Sequence, residues 1–397
     1  MIKSIYPLTE SVLEKVDLDA AIKVIKSKKI TMGEKTEEIE KYFKNNVVRT
    51  YSLMVNSGSS ANLLIFQCLI NPLVKKLKRG DEVLIPAICW STSLWPIIQS
   101  GLKVKFVDID IDSFNIDLKD LEKKITKKTK ALMLVHALGN CADMYKLVNI
   151  CKKNKIILIE DTCEALGSSY KKRQLGTFGE FSSFSFYYSH HITSGEGGMV
   201  CTKNKKYLEV LKSLRSHGWS RDLSNKKKIS RKYKNIDKNW IFINSGFNLR
   251  PTDINAAIGL EQLKRLKKIL SIRKYNFFKI KEELINNKNY NNQFTILNDQ
   301  KDSKIAWFGI PFILNSKDKK YKNKVMEKLN KKGIMTRPII SGNFAKQPSI
   351  KLYKINTKLK LPNADLVDKC AFFLGLHNVK INNQTLKKLS KKIFSSL

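Results

Sequence analysis

The sequence lacks a long apolar run, has few glycines and prolines, and is poor in acidic residues. A bilayer span needs about 20 consecutive apolar residues, and no segment of the 397 residues approaches that length. The start, MIKSIYPLTESVLEKVDLDA, has neither the apolar block nor the cleavage site of a secretion signal. With 18 glycines and 9 prolines, the chain is neither collagen-like nor of low complexity. These absences predict a globular cytoplasmic protein that has no membrane partner.

The cysteines provide no crosslinking framework. There are seven of them, and no two stand in C-x-x-C spacing. An odd number without paired spacing is not the pattern of a disulfide scaffold or a structural zinc site. We therefore expect neither.

Acidic residues are scarce, because 35 Asp and Glu stand against 74 Lys and Arg, for a formal net charge of +39. Such a balance can indicate a nucleic-acid partner. However, only ten of the basic residues are arginine, which is the better bidentate reader of phosphates and base edges. No helix-turn-helix or zinc-finger pattern is present. We interpret the charge mainly as a solvated surface and expect no nucleic-acid partner. Attraction of an anionic substrate stays open as a second reading.

Short apolar runs alternate with helical stretches in the first half of the chain. This alternation is typical of an α/β fold, in which helices cover a mostly parallel sheet. Seven strand candidates precede residue 203, at 51–55, 82–86, 103–110, 131–135, 155–161, 181–186 and 198–202. We therefore predict a seven-stranded sheet.

The pattern changes after residue 254. A helical pattern of about thirty residues leads into a tail that has one strand-like run at 307–314 and a helix around 322–332. We place a domain boundary near 260, which gives a large domain over 1–260 and a smaller α+β domain over 261–397. The Lys-rich stretch 222–240 is predicted to be an exposed loop.

Two motifs follow predicted strands and carry groups suited to an anion or a cation. In NSGSSANL, Gly58, Ser59 and Ser60 open a helix, where backbone N–H groups favour a phosphate. An ordinary Ser-capped turn explains that motif equally well. In IEDTCEALG, Asp161 ends an apolar strand, where α/β sites form. It could pair with a protonated heterocyclic nitrogen, or it could cap the next helix.

Two further motifs offer a base and polar side chains. In SFSFYYSHHITSGEGGMV, His190 and His191 precede a glycine-rich turn, and a histidine there can act as a base near neutral pH. A structural hydrogen bond is the alternative for either histidine. In GFNLRPTDINAAIG, Asn248 and Arg250 precede a helix. A capped helix start is the alternative there.

Together, the order and spacing of these motifs resemble the DegT/DnrJ/EryC1/StrS family of pyridoxal-phosphate sugar aminotransferases. The resemblance runs from KKITMGEKTEEIEKYF to LPNADLVDKC and covers essentially the whole chain. It implies the aspartate-aminotransferase-type fold, which is fold type I of the PLP-dependent enzymes. That fold has a seven-stranded, mostly parallel sheet, a small C-terminal domain and a homodimer with shared sites.

The resemblance also implies individual roles. The positions that would bind the cofactor are Gly58, Ser59, Ser60, Trp90, Asp161, Glu164, Ser185 and Asn248. Trp90 would stack on the pyridine ring, and Asp161 would keep the ring nitrogen protonated. Asn248 would reach the phosphate of the neighbouring subunit. Arg250 and Arg337 would bind the substrate.

One position departs from the family pattern. Family aminotransferases keep a lysine five residues before the GEGG turn and bond it to the cofactor, whereas this chain has His190 there. Histidine cannot form that bond. The same exchange marks the sugar 3-dehydratase branch, whose Y-x-A-H-H-I-T-x-G-E-G-G motif is similar to 187–198. The segment TRPIISGNFAKQP and the acidic Glu164 also resemble that branch.

The resemblance therefore implies a 3-dehydratase that uses pyridoxal 5′-phosphate (PLP) and pyridoxamine 5′-phosphate (PMP). It would remove the C3 hydroxyl of a nucleotide-linked 4-keto-6-deoxyhexose for O-antigen or another surface polysaccharide. His190 would be the base, with His217 as a second catalytic candidate. L-glutamate would restore the amine form of the cofactor. The sequence names neither the nucleotide nor the hexose.

Three alternatives bound this prediction. One dehydratase subgroup carries an iron–sulfur cluster, held by a cysteine near the aspartate loop and a trio after an Arg-Asp pair. Cys163 stands at the first place, but no cysteine follows Arg221 until Cys370, so we expect no cluster. A 4-aminotransferase anchored by another lysine, and a non-enzymatic cofactor-binding relic, stay open as alternative functions.

Overall fold

The computed structural model describes residues 4–10, 12–356 and 359–397. The strands are β1 Tyr51–Val55, β2 Glu82–Pro86, β3 Lys103–Val107, β4 Thr129–Val135, β5 Ile157–Asp161, β6 Ser169–Tyr170, β7 Arg173–Gln174, β8 Phe181–Ser185, β9 Gly198–Thr202, β10 Phe294–Ile296, β11 Ser303–Lys304, β12 Gly309–Leu314, β13 Thr336–Pro338 and β14 Ala371–Gly375. The α-helices are α1 Lys15–Lys26, α2 Glu34–Phe43, α3 Gly58–Ile70, α4 Ser91–Gln99, α5 Leu118–Lys124, α6 Met144–Lys153, α7 Lys205–Arg215, α8 Lys226–Lys232, α9 Asp253–Lys264, α10 Leu266–Ile285, α11 Lys319–Lys331, α12 Pro348–Leu352, α13 Pro362–Cys370 and α14 Asn383–Phe394.

A seven-stranded sheet with the order β1-β9-β8-β5-β4-β2-β3 is formed by strands that all lie before residue 203. Only β9 runs against the others, between β1 and β8. Its strands are the seven predicted from the apolar runs, so the predicted fold class is confirmed. The third strand ends at Val107, three residues earlier than predicted.

Most strands of this sheet are buried on both faces, whereas the edge strand β3 is buried only at its last two residues. Four of the five residues in β1, β2 and β5 are buried, and so is every residue of β9. Continuous apolar strands are what helices on both sides of a parallel sheet require. Because β1, β2, β4, β5 and β8 run in one direction, their carboxyl ends meet at one edge, where sites of α/β proteins form.

The C-terminal part folds around an antiparallel sheet with the order β10-β12-β14-β13. Residue 260 lies inside α9, and the helical path breaks at Arg265, between α9 and α10. The N-terminal segment also packs on this part, since the Tyr6 hydroxyl donates to the Gly375 carbonyl at 3.1 Å. The domain division near 260 stays a prediction.

The Lys-rich stretch 222–240 is exposed over most of its length, as predicted. It is not all loop, however, because α8 forms one short helix within it. Across the described ranges, no helix combines the length and apolar character that crossing a membrane requires.

Candidate active site

The motifs singled out in the sequence meet at the carboxyl edge of the large sheet. Gly58 lies between two of the other motifs, because a Cβ added to it would fall 2.7 Å from the Cβ of Ser185 and 3.0 Å from the Sγ of Cys163. Gly198, the last residue of the glycine-rich turn, is equally close, since its Cβ would meet the Gly58 nitrogen at 2.6 Å. The turns after β1 and β5 and the loop between β8 and β9 therefore form one site.

The start of α3 presents unused donors at this edge. Ser57 caps the helix by accepting from the Ser60 N–H at 3.1 Å. The backbone N–H groups of Gly58 and Ser59 have no acceptor among the described residues. The Ser59 hydroxyl is exposed and donates to Thr92 at 2.9 Å. Free N–H groups, hydroxyls and a helix N-terminus together suit a phosphate.

Asp161, the last residue of β5, is buried and held by neutral donors. Its Oδ2 accepts from the Asn62 amide at 2.9 Å and from the Ser93 hydroxyl at 2.8 Å. Of the N–H and O–H groups of the described residues, the Cys163 N–H alone donates to its Oδ1, at 3.1 Å. A carboxylate offers about four acceptor positions. Asp161 therefore has room for one more partner, and its negative charge favours a cationic one.

Glu164 follows in the next turn and is partly buried. Its Oε2 accepts the Leu138 N–H at 2.8 Å. Burial, together with the nearby negative charge of Asp161, raises the pKa of Glu164 to about 7. At neutral pH the site thus contains one carboxyl group that readily gains or loses a proton beside another that carries charge.

His190 lies in the loop between β8 and β9, and its Nδ1 has no hydrogen-bond partner among the residues that the structure describes. Its ring meets the ring of Phe308 edge to face, at 5.1 Å between centroids. Burial and the positive charge of Arg273 lower the pKa of His190 to about 4. The imidazole is therefore neutral at physiological pH and has a nitrogen free to accept a proton.

His191 is built differently from its neighbour. It is fully buried, and its Nε2–H donates to the Ala306 carbonyl at 2.8 Å. It has the structural role that was one of two readings for either histidine.

His217, Asn248 and Arg250 form a second cluster of predicted residues. Arg250 donates to Asn248 Oδ1 at 3.0 Å, and its guanidinium lies 3.3 Å from His217 Nε2. The cluster joins the end of β1 through the Asn56 N–H, which donates to the Leu249 carbonyl at 3.1 Å. These side chains are largely exposed, so the cluster forms a rim rather than part of the buried site.

Trp90 and Arg337 lie on two segments that contact each other. Trp90 precedes α4, and its side chain is 57% exposed. The loop after β13 packs against the segment before Trp90, since the Ser341 hydroxyl donates to the Cys89 carbonyl at 2.6 Å. Arg337, in β13, is exposed, and its side chain has no hydrogen bond or ion pair within the described ranges.

The sequence reasoning missed the residues that orient Asp161. Asn62 and Ser93 lie inside motifs that were noticed for other residues, and their signal was a polar side chain on an otherwise apolar helix. It also missed Phe308 and Arg273, which lie far from His190 in the sequence and carry no motif.

A phosphate-type site, a buried carboxylate with spare capacity and a neutral imidazole at one sheet edge are the features of a pyridoxal-phosphate protein of fold type I. The model of the DegT/DnrJ/EryC1/StrS aminotransferase family matches residues 12–393. The chain belongs to that family.

Among its relatives are two proteins named GDP-4-keto-6-deoxy-D-mannose 3-dehydratase. The one from Escherichia coli O55:H7 is 36% identical, over 95% of this chain and 96% of its own length. The one from Yersinia pseudotuberculosis is 37% identical, over 96% of each chain. GDP-perosamine synthase of Escherichia coli O157:H7 is 32% identical, over 75% of this chain and 74% of its own.

Solved structures agree with these relatives. The Escherichia coli 3-dehydratase with bound hydrated PLP superposes with a TM-score of 0.90 at 34% identity, over 98% of this chain and 99% of its own. A structure of GDP-4-keto-6-deoxymannose-3-dehydratase with a trapped PLP-glutamate geminal diamine also superposes with a TM-score of 0.90 at 34% identity, over 98% of this chain and 100% of its own.

Proposed function

We propose that the protein is a PLP- and PMP-dependent 3-dehydratase of a nucleotide-linked 4-keto-6-deoxyhexose. The observation that carries this proposal is His190, which stands where the family keeps its cofactor-binding lysine and has a neutral imidazole with a free Nδ1. Relatives over nearly the whole chain are named for this reaction with a GDP-linked sugar. We therefore propose GDP as the nucleotide.

The residues present fit the cofactor. The N–H groups of Gly58 and Ser59, with the hydroxyls of Ser60 and Ser185, would hold the phosphate. The spare capacity of Asp161 suits a protonated pyridine nitrogen. Trp90 would cover the ring. When bound, the cofactor supplies an electron sink and, in its amine form, the nitrogen that meets the sugar ketone.

His190 would act as the base and then return its proton to the departing hydroxyl. A lysine at that position would hold the aldehyde form covalently, whereas an imidazole transfers protons and leaves the cofactor free to exchange its amino group. Glu164, whose pKa is raised to about 7, would exchange a proton beside the ring. His217 would assist from the rim.

The remaining assignments belong to this proposal too. L-glutamate would regenerate the amine form, and a solved relative carries a PLP-glutamate adduct. Arg250 and Arg337 would meet the diphosphate, and Asn248 would reach the neighbouring subunit of a homodimer. We further propose a cytoplasmic enzyme of O-antigen or other surface polysaccharide biosynthesis, without an iron–sulfur cluster.

The test is direct. The purified protein with PLP and L-glutamate should lose the aldehyde absorbance and release 2-oxoglutarate. On addition of GDP-4-keto-6-deoxy-D-mannose, mass spectrometry should detect a 3-deoxy product that lacks one oxygen atom of the substrate, with release of ammonia. Borohydride should not join the cofactor to the native chain but should join it to the H190K variant. If the native chain itself is labelled at a lysine, the proposal is wrong.

The second candidate function is a sugar 4-aminotransferase, which the similarity to GDP-perosamine synthase favours. It predicts an amino sugar as the product from the same substrates. The His190 position argues against it, because no lysine stands there.

A further inference from the structure

Arg273, in α10, is a buried cation that lacks an acidic partner in the described part of the chain. The residue is 3% exposed. Its guanidinium donates to the carbonyls of Leu376, Trp307 and Phe308 at 2.5, 2.9 and 2.8 Å. It also donates to Asn378 Oδ1 at 2.9 Å, and its Nε finds no acceptor in the described ranges. Burying a charge without an opposite partner is strongly unfavourable.

Arg215 shows that the fold can compensate such a charge. Arg215 is 4% exposed, and its guanidinium pairs with the Glu40 carboxylate at 2.7 Å. Arg273 instead meets neutral oxygens only, all of them outside its own helix. The hydrogen bonds to these oxygens therefore offset the cost of burying the Arg273 charge, and they hold the accepting groups in place.

Two of those partners contact the segment that carries the base. The ring of Phe308 meets the His190 ring at 5.1 Å between centroids, and the Phe308 carbonyl accepts from Arg273. Asn378 accepts from Arg273 and donates to the His191 carbonyl at 3.1 Å. One guanidinium thus fixes both contacts to consecutive histidines.

We propose that Arg273 is a positioning residue for the active site, which holds the His190 imidazole through Phe308 and Asn378. The inference rests on the proposed function, in which His190 is the base. Its partners follow or precede strands of the C-terminal sheet, so that sheet fixes a group of the large domain. The positive charge has a second effect, because it disfavours an imidazolium nearby. The titratable groups around His190 are Tyr187 and His191 on its own segment and Arg273 from α10.

The test combines histidine resonances with kinetics of the full-length protein. In chain labelled with ¹³C at the histidine rings, H190Q assigns the His190 signal. In R273M this signal should shift, and the pH midpoint of its titration should move up from about 4. The kcat should fall by roughly 10- to 100-fold, the scale of a misplaced catalytic group, while KM changes little. R273K should restore the midpoint more fully than the signal position.

R265M is the matched control. Arg265 stands at the start of the same helix but pairs with Asp17 at 2.7 Å, and its loss should leave the His190 signal unmoved. If R273M does not fold, F308L and N378A break the two contacts separately, and each should shift the signal. An unmoved His190 signal in R273M, or in both of these variants, would overturn the proposal. If the His190 signal shifts in R273M but the native protein has no dehydratase activity, only the proposed function is contradicted.

Discussion

Glu160 and Asp161 are adjacent carboxylates at the end of β5 that point to opposite faces of the sheet. Glu160 is fully buried, and its donors all lie inside the fold, because it accepts from His136 at 3.0 Å and from the N–H groups of Gly176 and Gly179 at 2.8 and 2.7 Å. Burial would raise the pKa of Glu160, but these donors hold it below its usual value. Asp161 also has three donors, but it is the last residue of the strand, at the carboxyl edge of the sheet, and keeps 6% exposure, so a further partner can reach it. A carboxylate sealed inside the fold indicates a structural role, and a carboxylate that can be reached from the sheet edge indicates a binding one.

The largest effect should come from D161N. The amide keeps the shape of the side chain but loses the negative charge that would pair with the protonated ring nitrogen. Turnover should therefore fall by roughly 10²- to 10⁴-fold, which is the usual effect of losing a group that controls a proton transfer. The melting temperature should change little. The measurements are kcat and cofactor affinity beside a thermal melt. Full activity in D161N would remove Asp161 from the site.

The E160Q variant is the matched opposite. It leaves His136 facing a neutral amide and turns one amide hydrogen toward existing donors, so stability should fall by about 3–5 kcal/mol. Chemical denaturation measures this loss. The surviving folded fraction should still bind the cofactor. A variant that keeps its stability but loses the cofactor would reverse the roles assigned to the two carboxylates.

The smallest effect should come from E164Q and should appear as pH dependence. The pKa of Glu164 is raised from 4.5 to about 7, so folding disfavours its ionised form. Its contribution to stability is complete below pH 4.5, is lost as pH rises through about 7, and stays lost above that. Denaturation of the cofactor-free protein should therefore show a flatter pH curve in E164Q. Identical curves would mean that Glu164 titrates normally.

Local patterns predicted the large sheet because each strand is a short apolar run bounded by turn residues. They also located Asp161 and His190, since both lie beside glycine-rich or apolar segments with a family spacing. The same patterns could not place Asn62 and Ser93 on Asp161 or Phe308 on His190. Those contacts depend on how helices and two sheets pack, and they join residues 99, 68 and 118 positions apart.

The loop that carries His190 is tied at both feet. Ser185 and Gly198 pair across β8 and β9, and Phe186 exchanges backbone hydrogen bonds with Gly197 and Ser194 at 2.9 Å. The tip of this hairpin can therefore accept a different side chain at position 190 without disturbing the strands that support it. Exchanging a lysine for a histidine at this one position would change a covalently held cofactor into one that can dissociate. The same fold can then support two different reactions.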